Sequence, residues 1–328
     1  MNPSPDSSGL SSTIRRYLHM KQALGRRFSV ERRVLELLDA FMSKANAVDL
    51  TQPEFERWCM TQAHVSSGVR RSRMRIVRNL CLYRRRFAPD CFVPDPHLFP
   101  PPHQVVRPHI FSETEIVKLL QAAAELPTSA RYVLRPQVFR LALVLLFTSG
   151  LRRGELLRLT LADYDQREQM LLIRETKFHK SRYLPLSADA NMEIMAYLAA
   201  RRKLGLPMLA DSFLLWSGRS NERAFSASAL QNGIRDLCRC AGVRKADGRF
   251  PRVHDARHSF AARALLRWYR LGVDVQAKLP MLSTYMGHVS IASTEYYLPF
   301  IPELAAEASN RFRSRYGALV RPRKGSAS

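Results

Sequence analysis

The chain has 328 residues, 52 of them Lys or Arg and 28 Asp or Glu, for a formal net charge of +24. With 46% apolar and 24% charged residues it reads as a folded protein of about two domains, not a disordered one. The longest apolar run (141–147) is too short to span a bilayer, and the Pro/Ser-rich N-terminus lacks the apolar stretch of a secretory signal. Cysteines 59, 81, 91, 238 and 240 make no CxxC zinc pattern, so the expectation is a reduced, cytosolic protein with no metal, no other cofactor and no membrane partner. The pI near 10.6, carried by 43 Arg and nine Lys, leans towards a phosphate polyanion, because a guanidinium fork grips two phosphate oxygens at once.

Residues 1–12 read as a disordered N-terminus. Residues 13–93 read as a helical domain, with apolar residues recurring every three or four positions up to Phe87. Its sharpest piece, VRRSRMRIVRNLCLYRRRF (69–87), holds eight Arg and no acid. On a helix Arg71, Arg75 and Arg78 share one face, and with Arg70 they are candidate phosphate contacts. The bland alternative is a solvated basic face, which eight uncompensated cations on one helix make less favourable. Residues 94–110, with six prolines between 94 and 108, read as an extended linker.

The second domain, 111–316, opens on a capping box between Ser112 and Glu115. An apolar helix follows over 138–147. Residues 170–175 and 181–186 alternate like two strands joined by a polar turn. Helices are then expected near 188–203, 226–240, 255–271, 275–286 and 302–315, before a basic tail at 317–328. The fold class is mainly α with one small β-hairpin.

Four separated stretches carry the chemistry: TSGLRRGELLRL (148–159), RETKFHKSRYLPL (174–186), HDARHSF (254–260) and YMGHVSIASTEYYL (285–298). His-x-x-Arg occurs twice, at His179 and at His254, so any one match is weak and order decides. An Arg after Gly-Leu precedes a hairpin Lys, then His-x-x-Arg-His, then Gly-His, then a Tyr nine residues further. That order resembles the tyrosine recombinase (phage integrase) superfamily, whose catalytic fold is shared with type IB topoisomerases. The motifs of the resemblance cover about 111–300, and the helical domain before the linker fits the family's SAM-like core-binding domain in size and position.

Carried over motif by motif, the resemblance implies catalytic roles for Arg152, Lys177, His254, Arg257, His288 and Tyr297, on a DNA breaking-rejoining fold. Lys177 follows from the register K-x-x-K-x-R-x-x-P through Lys180, Arg182 and Pro185; Lys180 and Tyr296 are the rivals of Lys177 and Tyr297. Ala256 and Met286 stand where the family usually has Leu. The residue types suit the task. Two guanidinium groups can neutralise the non-bridging oxygens of a phosphodiester. A phenol with pKa about 10 needs a base to attack, the role given to His254, and Lys177 would protonate the leaving 5′-oxygen. Glu155 reads as a group orienting basic side chains and His258 as a supporting one, while His179 and Arg182 read as exposed hairpin residues. The implied activity is site-specific recombination of double-stranded DNA through a 3′-phosphotyrosine, without metal or ATP, for integration or excision of a mobile element. The implied assembly is a homo-oligomer on DNA, expected as a tetramer, with sister recombinases or accessory proteins as further partners.

Overall fold

The computed structural model describes residues 9–26, 28–101, 107–130, 132–174, 181–218, 225–287, 309 and 313. The chain divides into two units, Met1–Val106 and Arg107–Ser328, and both are mainly helical.

In the first unit, α1 (Gly9–Ala23), α2 (Ser29–Lys44), α3 (Gln52–Met60) and α4 (Ser67–Arg84) each turn an apolar stripe inward. Leu35 and Leu38 of α2, Trp58 of α3, and Val77 and Leu80 of α4 are at most 1% exposed. Each such side chain contributes about 1.5–3 kcal/mol of burial. Two boundaries move. The N-terminus expected to be disordered over 1–12 becomes helix at Gly9, because Leu10, Ile14, Tyr17 and Leu18 form a stripe that the core buries. The expected linker from 94 does not start there: Phe99 is buried with its ring 6.4 Å from that of Phe55, and the Pro100 carbonyl accepts from Arg71 Nη1 at 2.7 Å.

The Arg run of α4 is also less bare than its sequence suggests. Arg84 makes a two-pronged pair with Asp49, Nη2 to Oδ2 at 2.6 Å, and Arg73 donates to Gln62. Both partners lie on other segments, which periodicity within the run cannot show.

The second unit starts as expected. Ser112 Oγ accepts from the Glu115 N–H at 3.1 Å and Glu115 Oε2 from the Ser112 N–H at 2.8 Å, opening α5 (Glu113–Ala124). Next, α6 (Arg135–Ser149), apolar over 138–147 apart from Arg140, which pairs with Glu193, is the central helix, packed by α5, by α8 (Ala188–Lys203) and by α10 (Val253–Arg270). At Gly233 in α9 (Ala227–Cys240) a Cβ would lie 2.1 Å from the Phe139 ring, so only glycine lets α9 approach α6 this closely.

After the short α7 (Arg153–Leu156), three antiparallel strands follow in the order β1 (Tyr164–Asp165), β2 (Met170–Ile173), β3 (Arg182–Pro185). Leu171, Ile173 and Leu184 face the core at the two-residue period of a strand. The two-residue β1 was not expected, being too short for any alternation to show. Then α11 (Val275–Met286) packs on α10 through Leu265, Leu279, Leu282 and Met286. The helix expected near 302–315 and the tail at 317–328 lie outside the described residues, apart from helical positions at Ser309 and Arg313.

Candidate active site

Gly150 ends α6 with φ +60°, and the turn it makes brings Arg152 to the start of α7. The Arg152 guanidinium donates Nη1 to Glu155 Oε1 at 2.7 Å and Nη2 to the Gly287 carbonyl at 2.6 Å. Arg257, one turn after Val253 at the start of α10, is 1% exposed and donates Nη1 to the Gly150 carbonyl at 2.5 Å and Nη2 to the Met286 carbonyl at 2.8 Å. Two guanidinium groups 105 positions apart in sequence therefore meet on successive carbonyls at the end of α11. That end has no intrahelical partners for its last carbonyls and carries partial negative charge, so cations are favoured there.

Gly287 caps this end with φ +68°. A Cβ on it would lie 2.7 Å from Arg182 Nη1, 2.9 Å from Arg182 Cζ and 3.3 Å from Arg152 Nη1. Glycine is required both by the left-handed backbone and by the guanidinium groups packed against it.

Arg182 itself is a correction. Its sequence position in the hairpin suggests an exposed residue, yet its side chain is 12% exposed and gives Nη1 and Nη2 to the two oxygens of Glu155 at 3.2 and 3.0 Å. Its Nε donates to the Tyr285 carbonyl at 2.9 Å. The signal was present: in a strand, Arg182 must share a face with Leu184, and Leu184 points into the core. Glu155 is 4% exposed and sits between Arg152 and Arg182. Burial by itself would raise its pKa, but hydrogen bonds from Arg182 and from the Arg152 N–H and guanidinium outweigh that and hold it at about 2.

His254 and His258 stand one turn apart on α10, with their rings edge to face at 4.7 Å. His254 keeps an exposed edge, whereas His258 is buried. Loss of hydration, then the cations Arg257 and Arg252, lower the pKa of His254. His258 falls to about 4, through burial first and the neighbouring His254 second. Between them in sequence, Asp255 is fully buried and accepts from the Arg252 N–H and Nη2, both at 2.8 Å, and pairs with Lys245 Nζ at 3.2 Å. Ser259, one turn on, accepts from the Phe111 N–H at 2.9 Å, which fastens the start of this unit to α10. Sequence reasoning missed Asp255, Lys245 and Ser259, because nothing local marks a long-range partner.

Lys177, Lys180, His179, His288, Tyr296 and Tyr297 lie outside the described residues. In the first unit, Arg71, Arg75 and Arg78 lie along one side of α4, where Arg75 is exposed and Arg71 and Arg78 are half-buried, Arg71 on the Pro100 carbonyl; Arg70 is half-buried too and stands one turn before the buried Met74. Among the described residues, no three His, Cys, Asp or Glu side chains cluster as metal ligands would, and no helix is long and apolar enough to cross a membrane.

Residues 109–300, which include every element of this site, match the model of the phage integrase family. The chain belongs to that family. Like the family members it resembles, it is a tyrosine-type site-specific DNA recombinase. This recombinase is 34% identical over 317 residues to the integrase/recombinase y4rB of Sinorhizobium fredii, covering 94% of this chain and 98% of that one. It is 31% identical over 192 residues to the tyrosine recombinase XerD of Caulobacter vibrioides, 58% of this chain and 57% of that one. Among solved structures it shares the fold of the XerH site-specific recombinase bound to palindromic difH substrate, with TM-score 0.62 and 19% identity over 85% of this chain and 77% of that one. The Tn1549 transposon integrase in complex with transposon right end DNA has TM-score 0.59 and 15% identity, covering 87% and 94%.

Proposed function

We propose that this recombinase cuts and rejoins double-stranded DNA through a 3′-phosphotyrosine on Tyr297. The phenol oxygen bonds to the scissile phosphorus as the bond from phosphorus to the 5′-oxygen breaks. The phenolic proton passes to His254, and Lys177 gives a proton to the departing 5′-oxygen. Attack by a 5′-hydroxyl of the partner strand reverses the step and frees the tyrosine. The phosphodiester energy stays in the protein link, so no nucleotide cofactor is consumed.

The observation that carries this reading is the convergence of Arg152 and Arg257 on the carbonyls of residues 286 and 287, immediately before His288. Guanidinium groups fixed there in advance can neutralise charge that grows on the phosphate oxygens without reorganising, and one such donor is worth about 3 kcal/mol. The lowered pKa of His254 keeps its ring neutral near pH 7, which suits a proton acceptor. His288 would donate to the phosphate, and Arg70, Arg71, Arg75 and Arg78 would hold the DNA backbone from the first domain.

The remaining assignments belong to the same proposal. The active form on DNA is a tetramer of this chain, and residues 303–312 dock on a neighbouring copy. The work is integration or excision of a mobile element at DNA in the prokaryotic cytosol, with sister recombinases or accessory proteins as further partners. Support comes from likeness to an integrase/recombinase over nearly the whole chain and to a transposon integrase in fold.

A nicked suicide substrate tests the chemistry. Wild type should accumulate a covalent DNA adduct and Tyr297→Phe none; an adduct that persists in Tyr297→Phe rejects the nucleophile.

A further inference from the structure

Arg182 is a largely enclosed cation, its side chain 12% exposed, whose position neither its hairpin sequence nor phosphate binding accounts for. On one side its Nη1 and Nη2 engage the two Glu155 oxygens, and Glu155 Oε1 also accepts from Arg152 Nη1 at 2.7 Å. On the other side its Nε meets the Tyr285 carbonyl at 2.9 Å, and Tyr285 Oη donates back to the Pro185 carbonyl at 3.2 Å. Strand β3 is thereby fastened twice to the end of α11. Gly287 is a separate witness: the space that its missing side chain leaves is filled by the Arg182 guanidinium, 2.7 Å from where a Cβ would stand.

We propose that Arg182 is a positioning residue for recombination: it holds Glu155, and through Glu155 aims the guanidinium of Arg152, while fastening the strand that follows Lys177 to the helix end that precedes His288. The physical reason lies in the shared carboxylate. With Arg182 present, both Glu155 oxygens already have a donor, and Arg152 meets one of them through a single guanidinium nitrogen. Without Arg182, Glu155 Oε2 keeps only the Arg152 N–H at 3.0 Å, and the carboxylate can draw the Arg152 fork onto both oxygens, the geometry in which that pair is strongest. The fork then turns from the phosphate towards Glu155. Binding of DNA survives, and chemistry slows.

This inference rests on the proposed role of Arg152, so the experiment separates the two. Single-turnover covalent adduct formation and DNA affinity are measured on the full chain for wild type, Arg182→Ala, Arg182→Lys, Arg152→Lys and the double variant Arg152→Lys/Arg182→Ala. Arg182→Ala should slow adduct formation about 10- to 100-fold, the usual cost of a misaimed group, with affinity within about threefold of wild type. Arg182→Lys, which keeps the charge but not the fork, should recover only part of that rate at an unchanged melting temperature. In the Arg152→Lys background, Arg182→Ala should add less than about threefold, because a residue that acts through Arg152 has nothing left to aim.

Wild-type rates in Arg182→Ala, full multiplication of the two losses, or a loss of affinity matching the loss of rate would each overturn the positioning role. Should Arg182→Ala fail to fold, Arg182→Lys decides by the same comparison: an undiminished rate overturns the role. A wild-type chain that forms no adduct rejects the proposed chemistry itself, and the positioning role falls with it.

Discussion

Replacing Glu155 by Gln removes one negative charge from beneath two guanidinium groups and changes almost nothing in volume. The carboxyl is held at about 2 in the folded chain against an ordinary 4.5, because the hydrogen bonds from Arg182 and Arg152 more than offset its burial. At about 1.4 kcal/mol per unit, that difference corresponds to about 3 kcal/mol of folding stability at neutral pH. Breaking a buried ion pair from one side costs a similar 3–5 kcal/mol, and the partial exposure of Arg152 puts this case at the lower end.

For a unit of this size, about 3 kcal/mol lowers the melting temperature by about 6–12 °C. A carboxyl whose folded pKa lies below its unfolded one stabilises fully above 4.5 and loses that contribution as the pH falls towards 2. The gap between wild type and Glu155→Gln should therefore narrow by about 2 kcal/mol between pH 7 and pH 3. Urea unfolding of both proteins at the two pH values measures it. A gap under about 1 kcal/mol at pH 7, or one that stays constant down to pH 3, would refute the claim that the guanidinium pair holds this carboxylate ionised.

Gly287→Ala forces a Cβ into a left-handed residue and against guanidinium groups already fixed by Arg182's three bonds; it should cost about 1–2 kcal/mol and slow adduct formation more than tenfold with DNA affinity retained. Cleavage at the wild-type rate would show that the arginines tolerate displacement. His258, with its pKa lowered to about 4 by burial and then by His254, stabilises the fold fully above 6.5 and loses that contribution as the pH falls towards 4, at most about 3 kcal/mol. His258→Phe should flatten that part of the stability profile, and an unchanged slope would assign it to other groups. Residues 1–110 carry +9 and residues 111–328 carry +15, so DNA affinity should fall steeply with salt. Arg75→Ala and Arg78→Ala should each reduce the slope of log affinity against log salt by about 1, and a slope that does not change would remove that side chain from the phosphate contacts.

The order of elements was legible because it is written in local periods. Ser112 and Glu115 announced α5, the 3.6-residue stripes announced the helices, and the alternation around Leu171 and Leu184 announced the hairpin. The site was legible only as a list. Arg152 and Arg257 could be named because their neighbours in sequence form motifs, and Arg182 was misread because its own motif makes it look like a hairpin surface.

By itself, then, the sequence determined the helical class, the division into two basic units and the recombinase family, and it named candidate reacting groups, all from side-chain chemistry and spacing within a few residues. Only the tertiary structure decided what each arginine does with its donors. Arg182 meets Glu155 across 27 positions and Tyr285 across 103, and Arg152 meets Gly287 across 135. Such pairings are set by the packing of α10 on α6 and of α11 on α10, and no local pattern encodes them. The +24 charge that first suggests a polyanion thus resolves into two populations. Some, such as Arg75 of α4, are exposed, and a few are turned inward and held by carbonyls and one carboxylate, where an uncompensated charge would be too costly to bury.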